Sequence, residues 1–270
     1  MNELRLAFSP CPNDTFVFHA WTHGLIEAAP PVAVTFADVD VTNTAAERGE
    51  FDVVKVSYAA LPWLLGQYRL LPCGGALGRG CGPLVLTRDD RAELTGARVA
   101  VPGERTTAYL LMRLWAADQH PAAIELVPFA EIMSGVRDGR FDAGLVIHEA
   151  RFTYPNYGLR ALVDLGQWWE TSTGHPIPLG AILARRTLDA EQLSRVVRAS
   201  VDYACAHPSA SAGFVAKHAA EMDPNVQRQH IELYVNSFSR DLGEQGYAAI
   251  EELLGRAHAA GLVPPVGPLR

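Results

Sequence analysis

The feature that most constrains this fold is a short motif that occurs twice in the chain. Residues 49–52 are Gly-Glu-Phe-Asp, and residues 139–142 are Gly-Arg-Phe-Asp. Each copy follows a helical pattern and leads into a largely apolar run, 53–56 or 143–147, that is typical of a buried parallel strand. The glycine suits the end of the helix. Two βαβ-type lobes produce such a repeat, and a chain of 270 residues is long enough to form them.

A second pair of segments predicts how the lobes are connected. Residues 82–88 and 178–186 are apolar runs that both end in basic residues. The block between them alternates strand and helix patterns, as a separate lobe does. We therefore predict an α/β fold in which two α/β domains are joined by two crossing hinge strands. One continuous doubly wound sheet is the alternative.

The predicted lobe boundaries follow from these hinge strands. Residues 1–86 and 184–270 form a larger α/β lobe, and residues 87–183 form a smaller inserted α/β lobe. The pattern after residue 186 is mainly helical, so the larger lobe is expected to carry most of the C-terminal helices.

Composition narrows the possible partners. The net charge is −7 and no stretch is densely basic. Nucleic acid is therefore a poor candidate, because phosphate binding needs clustered Lys and Arg. The first residues lack the basic, apolar and small-residue regions of an export signal, and no run approaches the roughly 20 apolar residues that span a bilayer. We expect a cytoplasmic protein that binds a small molecule, with no membrane partner and no specified oligomeric state.

Cysteine and glycine patterns argue against a metal or nucleotide site. Cys11, Cys73, Cys81 and Cys205 form no Cys-x-x-Cys pair, so we predict free thiols and no metal. The glycine-rich residues 73–83 lack the terminal Gly-Lys-Ser/Thr of a phosphate-binding loop, and they precede a strand rather than a helix. This segment either wraps a ligand or forms the flexible start of a hinge. No cofactor motif is present.

Candidate binding residues follow the predicted strands, since ligands of open α/β sheets bind beyond the carboxyl ends of strands. Residues 9–14 lead into a helix whose free N–H groups favour an anion. Lys55 and Ser57 end the strand after the first motif copy, where a lysine that simply reaches solvent is the alternative. Thr106 and Thr107 begin a helix and either cradle a carboxylate or act only as a cap.

His148 is the candidate base. It follows the apolar run of the second motif copy, at an expected ligand-facing strand end. If its surroundings shift its pKa little, the pKa is roughly 6–7, and a neutral imidazole accepts a proton at neutral pH. A purely structural role is the alternative, as for any single histidine. Other histidines, among them His207, His218, His230 and His258, lie on helices with a surface-like pattern.

Five segments together resemble the 1,4-dihydroxy-6-naphthoate synthase family over essentially the whole chain. They are residues 9–16, 74–80, 106–109, 147–155 and 178–184. The resemblance implies a two-lobed fold of the type 2 periplasmic-binding-protein kind. It also implies a lyase of the futalosine route to menaquinone, which converts cyclic dehypoxanthinyl futalosine to 1,4-dihydroxy-6-naphthoate. Neither a metal nor a cofactor is implied.

The same resemblance implies roles for individual residues. His148 is the implied proton acceptor, and the implied substrate contacts are Lys55, Val56, Ser57, Thr106 and Thr107. Proton abstraction followed by elimination with aromatisation needs one positioned base. We further expect Ser57 and Thr107 to face each other across a cleft and to share the substrate carboxylate.

Other functions remain open at this point. Chorismate dehydratase belongs to a sister family with the same fold in the same pathway. A non-catalytic binding protein for a small carboxylate is expected to carry an export signal, and an effector-binding domain of a regulator is expected to carry a helix-turn-helix. Neither pattern is visible in this sequence.

Overall fold

The computed structural model describes residues 3–270. Its strands are β1 (Leu4–Phe8), β2 (Val32–Phe36), β3 (Val53–Ser57), β4 (Tyr68–Gly78), β5 (Leu84–Thr87), β6 (Arg98–Val101), β7 (Ala123–Leu126), β8 (Ala143–Val146), β9 (Arg160–Asp164) and β10 (Ile177–Arg185). Its helices are α1 (Pro12–Thr22), α2 (Val39–Glu47), α3 (Leu61–Leu64), α4 (Thr107–Trp115), α5 (Phe129–Arg137), α6 (Ala150–Thr153), α7 (Leu165–Thr173), α8 (Ala190–Ala206), α9 (Ala212–His218), α10 (Pro224–Tyr234), α11 (Ser237–Arg240) and α12 (Gly243–Ala259).

The strands form two five-stranded sheets with matching layouts. The order is β2-β1-β3-β10-β4 in the first sheet and β7-β6-β8-β5-β9 in the second. In each sheet one strand that arrives from the other part of the chain runs antiparallel to its neighbours: β10 between β3 and β4, and β5 between β8 and β9. The two repeat strands, β3 and β8, lie in different sheets. The prediction of two α/β units is confirmed, and a single continuous sheet is excluded.

The chain changes sheets slightly earlier than the hinge pattern predicts. β5 lies wholly in the second sheet and β10 wholly in the first, so the changeovers fall between β4 and β5 and between β9 and β10. Both lie before the predicted boundaries at 86 and 183. The reason is that β5 and β10 each pair along their whole length with strands of a single sheet. Neither strand therefore crosses from one sheet to the other, and the connection before each of them does.

The glycine-rich segment is largely strand rather than flexible hinge, because β4 continues through Gly78. Its glycines allow two strands to approach closely. A Cβ on Gly75 would lie 2.4 Å from the carbonyl oxygen of Gly180 on β10, a separation that no side chain tolerates. Glycine is therefore required where β4 and β10 pass each other.

Both sheets are covered by helices and have apolar cores. In the first sheet's core the Phe8 and Phe18 rings stack with centroids 4.7 Å apart. Trp169 is fully buried, and its indole N–H donates to the carbonyl of Pro176 at 3.1 Å. All four cysteines are free thiols, as predicted. Across residues 3–270, no helix has the length and apolar character needed to cross a membrane.

Candidate active site

A cavity with an empty volume of about 660 Å³ lies at the carboxyl ends of strands from both sheets, as expected for open α/β sheets. The first sheet and its helices contribute Ser9, Asn13, Asp14, Val39, Thr42, Lys55, Ser57, Ala76, Leu179, Gly180, His230 and Tyr234. The second sheet, its helices and the β4–β5 connection contribute Gly82, Pro83, Thr106, Thr107, Ala108, Ile147 and His148.

Most of the residues singled out in the sequence therefore meet in one place. The lining set includes Lys55, Ser57, Thr106, Thr107 and His148. Val56 is different: its side chain is fully buried and packs in the hydrophobic core. This follows from strand alternation, which points the side chains of residues on either side of Val56 to the opposite face.

Lys55 is not a strand-end lysine that reaches solvent. It is buried and forms an ion pair with the buried carboxylate of Asp14. That carboxylate also accepts hydrogen bonds from Ser9 Oγ at 2.7 Å and from Asn13 Nδ2 at 2.8 Å. Such neutralisation allows a charged pair to remain in a poorly solvated cavity. The sequence indicated Lys55 but not its partner.

A glycine on β10 makes room for this lysine. A Cβ on Gly180 would lie 2.8 Å from Lys55 Cε, closer than side chains normally approach. The motif containing Gly180 therefore has a physical role at the site: it leaves room for the aliphatic stem of Lys55.

Asn43 fixes the position of Ser57 and was missed in the sequence. Its Oδ1 accepts from the Ser57 backbone N–H at 2.8 Å, and its Nδ2 lies 3.2 Å from Ser57 Oγ as donor. Asn43 is fully buried on α2. The sequence signal that could have identified Asn43 is a polar amide on the buried face of a short helix. Burying an amide is costly unless it is hydrogen-bonded.

The start of α4 presents backbone rather than hydroxyl donors. Thr106 is the N-cap: its hydroxyl accepts from Tyr109 N at 3.2 Å and donates to Gly103 O at 2.8 Å. The Thr107 hydroxyl donates to Leu179 O at 2.8 Å and accepts from Ala59 N at 3.2 Å. Both hydroxyls are thus already bonded within the protein.

The backbone N–H groups of Thr107 and Ala108 remain available at the first turn of α4. Neither bonds an acceptor among residues 3–270, as is usual for the first N–H groups of a helix. Both residues line the cavity. The helix dipole adds to their attraction for a negative group, so an anion is the ligand that this corner of the cavity favours.

His148 lies beyond the strand that precedes it, which corrects the expectation that it ends that strand. β8 ends at Val146, and His148 has a left-handed backbone with φ of 57°. Non-glycine residues seldom adopt this conformation, and it is concentrated at functional sites. The ring packs edge-on against Phe129, with centroids 5.5 Å apart. The tight turn directs the chain away from β8 at the edge of the cavity.

The pKa of His148 is lower than the sequence-based prediction of roughly 6–7. Burial lowers it to about 4, an effect that the Asp14 carboxylate partly opposes and the Lys55 ammonium reinforces. An unshifted pKa was therefore the wrong expectation, because removal from water penalises the charged imidazolium. The ring is neutral and can accept a proton throughout the physiological pH range.

His230 is a cavity residue, not a surface one, which corrects the sequence-based interpretation. It is 1% exposed and its ring lies 6.4 Å from that of His148. Its Nε2 is 2.9 Å from Asn13 Oδ1. Because Asn13 Nδ2 donates to Asp14, the amide oxygen faces His230, and the proton of a neutral ring belongs on Nε2. Burial lowers the pKa of His230 well below its usual value.

Comparison with known proteins agrees with this architecture. A family model described as "Menaquinone biosynthesis" matches residues 4–259. A Streptomyces coelicolor protein named 1,4-dihydroxy-6-naphtoate synthase is 64% identical over 99% of this chain and 97% of its own length. A Thermus thermophilus protein of the same name is 47% identical, over 98% and 97%. The chain belongs to the menaquinone biosynthesis family. The resemblance inferred from the five segments is thus confirmed.

Solved structures support the same fold. An Archaeoglobus fulgidus crystal structure, 34% identical, superposes with a TM-score of 0.90 over 97% of this chain and 98% of that one. The alkanesulfonate-binding protein SsuA from Xanthomonas axonopodis pv. citri, bound to MOPS, gives a TM-score of 0.72 at 14% identity, over 97% and 94%. The periplasmic-binding-protein-like fold predicted for this menaquinone biosynthesis family member is therefore confirmed. At 14% identity this likeness concerns the fold alone.

Proposed function

We propose that the chain is a 1,4-dihydroxy-6-naphthoate synthase, a lyase in which His148 takes the proton from cyclic dehypoxanthinyl futalosine. The observation that carries this proposal is the His148 imidazole at the edge of a cavity between two lobes, where burial lowers its pKa. The relatives of the same name support the reaction. Proton loss followed by elimination gives an aromatic product, so the chemistry has a large driving force once a base is in place.

The substrate carboxylate is proposed to bind at the start of α4. The N–H groups of Thr107 and Ala108 favour an anion there, and Ser57 faces the same cavity. Lys55 retains donors beyond the one used by Asp14, since an ammonium has three. In this proposal Thr106 contributes by capping α4. Val56 contributes through the burial of its side chain in β3.

Closure of the lobes is the proposed source of orientation and of water exclusion. This class of reaction requires neither a metal nor a redox cofactor, and we propose that none is used. A cytoplasmic location stays part of the proposal. So does the lack of a nucleic-acid partner, on the grounds of the acidic net charge.

The competing activities have less support. Chorismate dehydratase is not favoured, because both relatives with high identity carry the naphthoate synthase name. The direct test is to incubate the purified protein with cyclic dehypoxanthinyl futalosine and, separately, with chorismate. Appearance of 1,4-dihydroxy-6-naphthoate in the first reaction only supports the proposal. Dehydration of chorismate, or binding of either compound without turnover, contradicts it.

Replacing Thr107 with Val should raise KM more than it lowers kcat. The change removes the hydroxyl that bonds Leu179 O and Ala59 N, so the first turn of α4 loses its fixed position against the first lobe while His148 is untouched. Thr107→Ser, which keeps the hydroxyl, is the control and should behave like the unmodified enzyme. Steady-state kinetics in which Thr107→Val leaves KM unchanged contradict the proposed anion site.

The acid limb of the pH profile should lie below pH 6. Because burial lowers the pKa of His148 to about 4, the base stays neutral as the pH falls from 7 to 6. With a pKa of roughly 6.5, about three quarters of it is protonated at pH 6. The measurement is kcat/KM from pH 4.5 to 8, with circular dichroism at each pH to exclude unfolding. A limb centred between pH 6 and 7 contradicts a base with a lowered pKa.

A further inference from the structure

A second chemical feature lies beside the cavity and shares His148 with the reaction described above. Cys11, His148 and Glu149 each present one potential ligand atom, and these atoms all lie within 4.8 Å of one another. Cys11 follows β1 in the first sheet, whereas the other two follow β8 in the second. The three side chains therefore meet across the two lobes, just beyond two strand ends that the sequence marks as ligand-facing.

The surroundings of Glu149 point to a missing partner. The residue is 8% exposed, and its Oε1 bonds no partner among residues 3–270. Buried carboxylate oxygens are normally hydrogen-bonded or bound to a cation. Cys11 is 6% exposed, so this carboxylate and thiol share a poorly solvated space. An unpartnered acceptor beside a thiol and an imidazole is the donor set of a transition-metal site.

We propose that Cys11, His148 and Glu149 form an inhibitory site for Zn²⁺ that bridges the two lobes. Sulfur, nitrogen and oxygen donors together are the set that Zn²⁺ takes in proteins. In a tetrahedral zinc site, with bonds of about 2.0–2.3 Å, ligand atoms lie about 3.5 Å apart. Ligand atoms that lie up to 4.8 Å apart need to approach by at most about 1.3 Å to reach that spacing. Three protein ligands leave one position for water.

Zinc binding at this site opposes the reaction, a consequence that rests on the proposed function. The bond from Cys11 Sγ to zinc forms as the S–H bond breaks, and the proton passes to the buffer. The imidazole and the carboxylate each donate a lone pair. The imidazole lone pair used for zinc is the one His148 needs as a base, so the bound enzyme lacks its proton acceptor. The metal also holds the lobes together and hinders substrate exchange.

The test is to titrate the full-length protein with Zn²⁺ by calorimetry and to measure turnover at each concentration. One zinc per chain and loss of turnover that a chelator reverses are the expected results. Cys11→Ser and Glu149→Gln, two substitutions of similar shape, should each weaken zinc binding at least about 10-fold, since even loss of an outer-shell hydrogen bond costs that much. Cys205→Ser, at an exposed thiol, is the matched control and should bind zinc normally.

Co²⁺ provides a readout that does not depend on turnover. Cobalt bound to a thiolate has a charge-transfer absorption band in the near ultraviolet, which should appear with the unmodified protein and the Cys205→Ser control and disappear with Cys11→Ser. If the band appears but the naphthoate does not form, the metal site stands and the proposed function fails. Wild-type zinc affinity in both ligand variants, or no zinc binding by the unmodified protein, overturns the site.

Discussion

Replacing His148 with Asn is expected to lower kcat by at least about 10²-fold, the low end of the loss expected for a positioned base. Asn is the informative replacement because His148 has a φ of 57°. Asn tolerates this left-handed conformation better than most residues, so the turn after β8 is retained while the base is lost. The variant should therefore keep its fold and its affinity for substrate.

The measurement is kcat and substrate affinity of the Asn variant, alongside His120→Asn at an exposed position as the control. The control should match the unmodified enzyme. The Asn variant should also lose the acid limb attributed to His148. If it retains near-normal kcat and the same limb, the proton acceptor is another residue, and His230 is the next imidazole to test because it lines the same cavity.

Replacing Asp14 with Asn should lower the free energy of unfolding by about 3–5 kcal/mol, the cost of leaving one member of a buried ion pair alone. The Asp14 carboxylate has three partners. Lys55 forms an ion pair with it, and Ser9 and Asn13 both donate hydrogen bonds to it. A neutral amide leaves the buried ammonium of Lys55 uncompensated. Turnover should fall as well, since Lys55 and Asp14 both line the cavity.

Denaturant unfolding, followed by circular dichroism, measures this loss. The control is Asp90→Asn, which removes a carboxylate from the exposed ion pair with Arg160. Exposed pairs contribute about 0–1 kcal/mol, so this control should stay near the unmodified protein. Equal stability of the Asp14 and Asp90 variants means that the Lys55 charge is neutralised in some other way, and the buried pair then has no special role.

Local pattern was sufficient to predict the two-sheet architecture. The repeated Gly-x-Phe-Asp motif marks β3 and β8, and each is preceded by a helix and has cavity residues at or just after its carboxyl end. The start of α4 was also predicted, from the two threonines at positions 106 and 107. The sheet changeovers were less accurate, because a single apolar run such as β5 has the same pattern whichever sheet it pairs with.

The sequence predicted site residues only where the position of a single residue, at a strand end or a helix start, indicated its role. His148, Ser57 and Thr107 stand at strand ends or helix starts, which sequence can place. His230 and Asn43 were missed, because their importance depends on tertiary packing that turns a helix face towards the cavity. A lowered pKa is likewise a property of burial, not of local sequence.

The placement of β10 has a consequence for how the chain acquires its structure on the ribosome. β10 fills the gap between β3 and β4, yet it is synthesised after all five strands of the second sheet. The second sheet, whose strands run consecutively from Leu84 to Asp164, can therefore be completed while the first still lacks an inner strand. During that interval the facing edges of β3 and β4 have unpaired backbone groups, which other chains can bind. The nascent protein is thus most exposed to aggregation just before Ile177–Arg185 emerges.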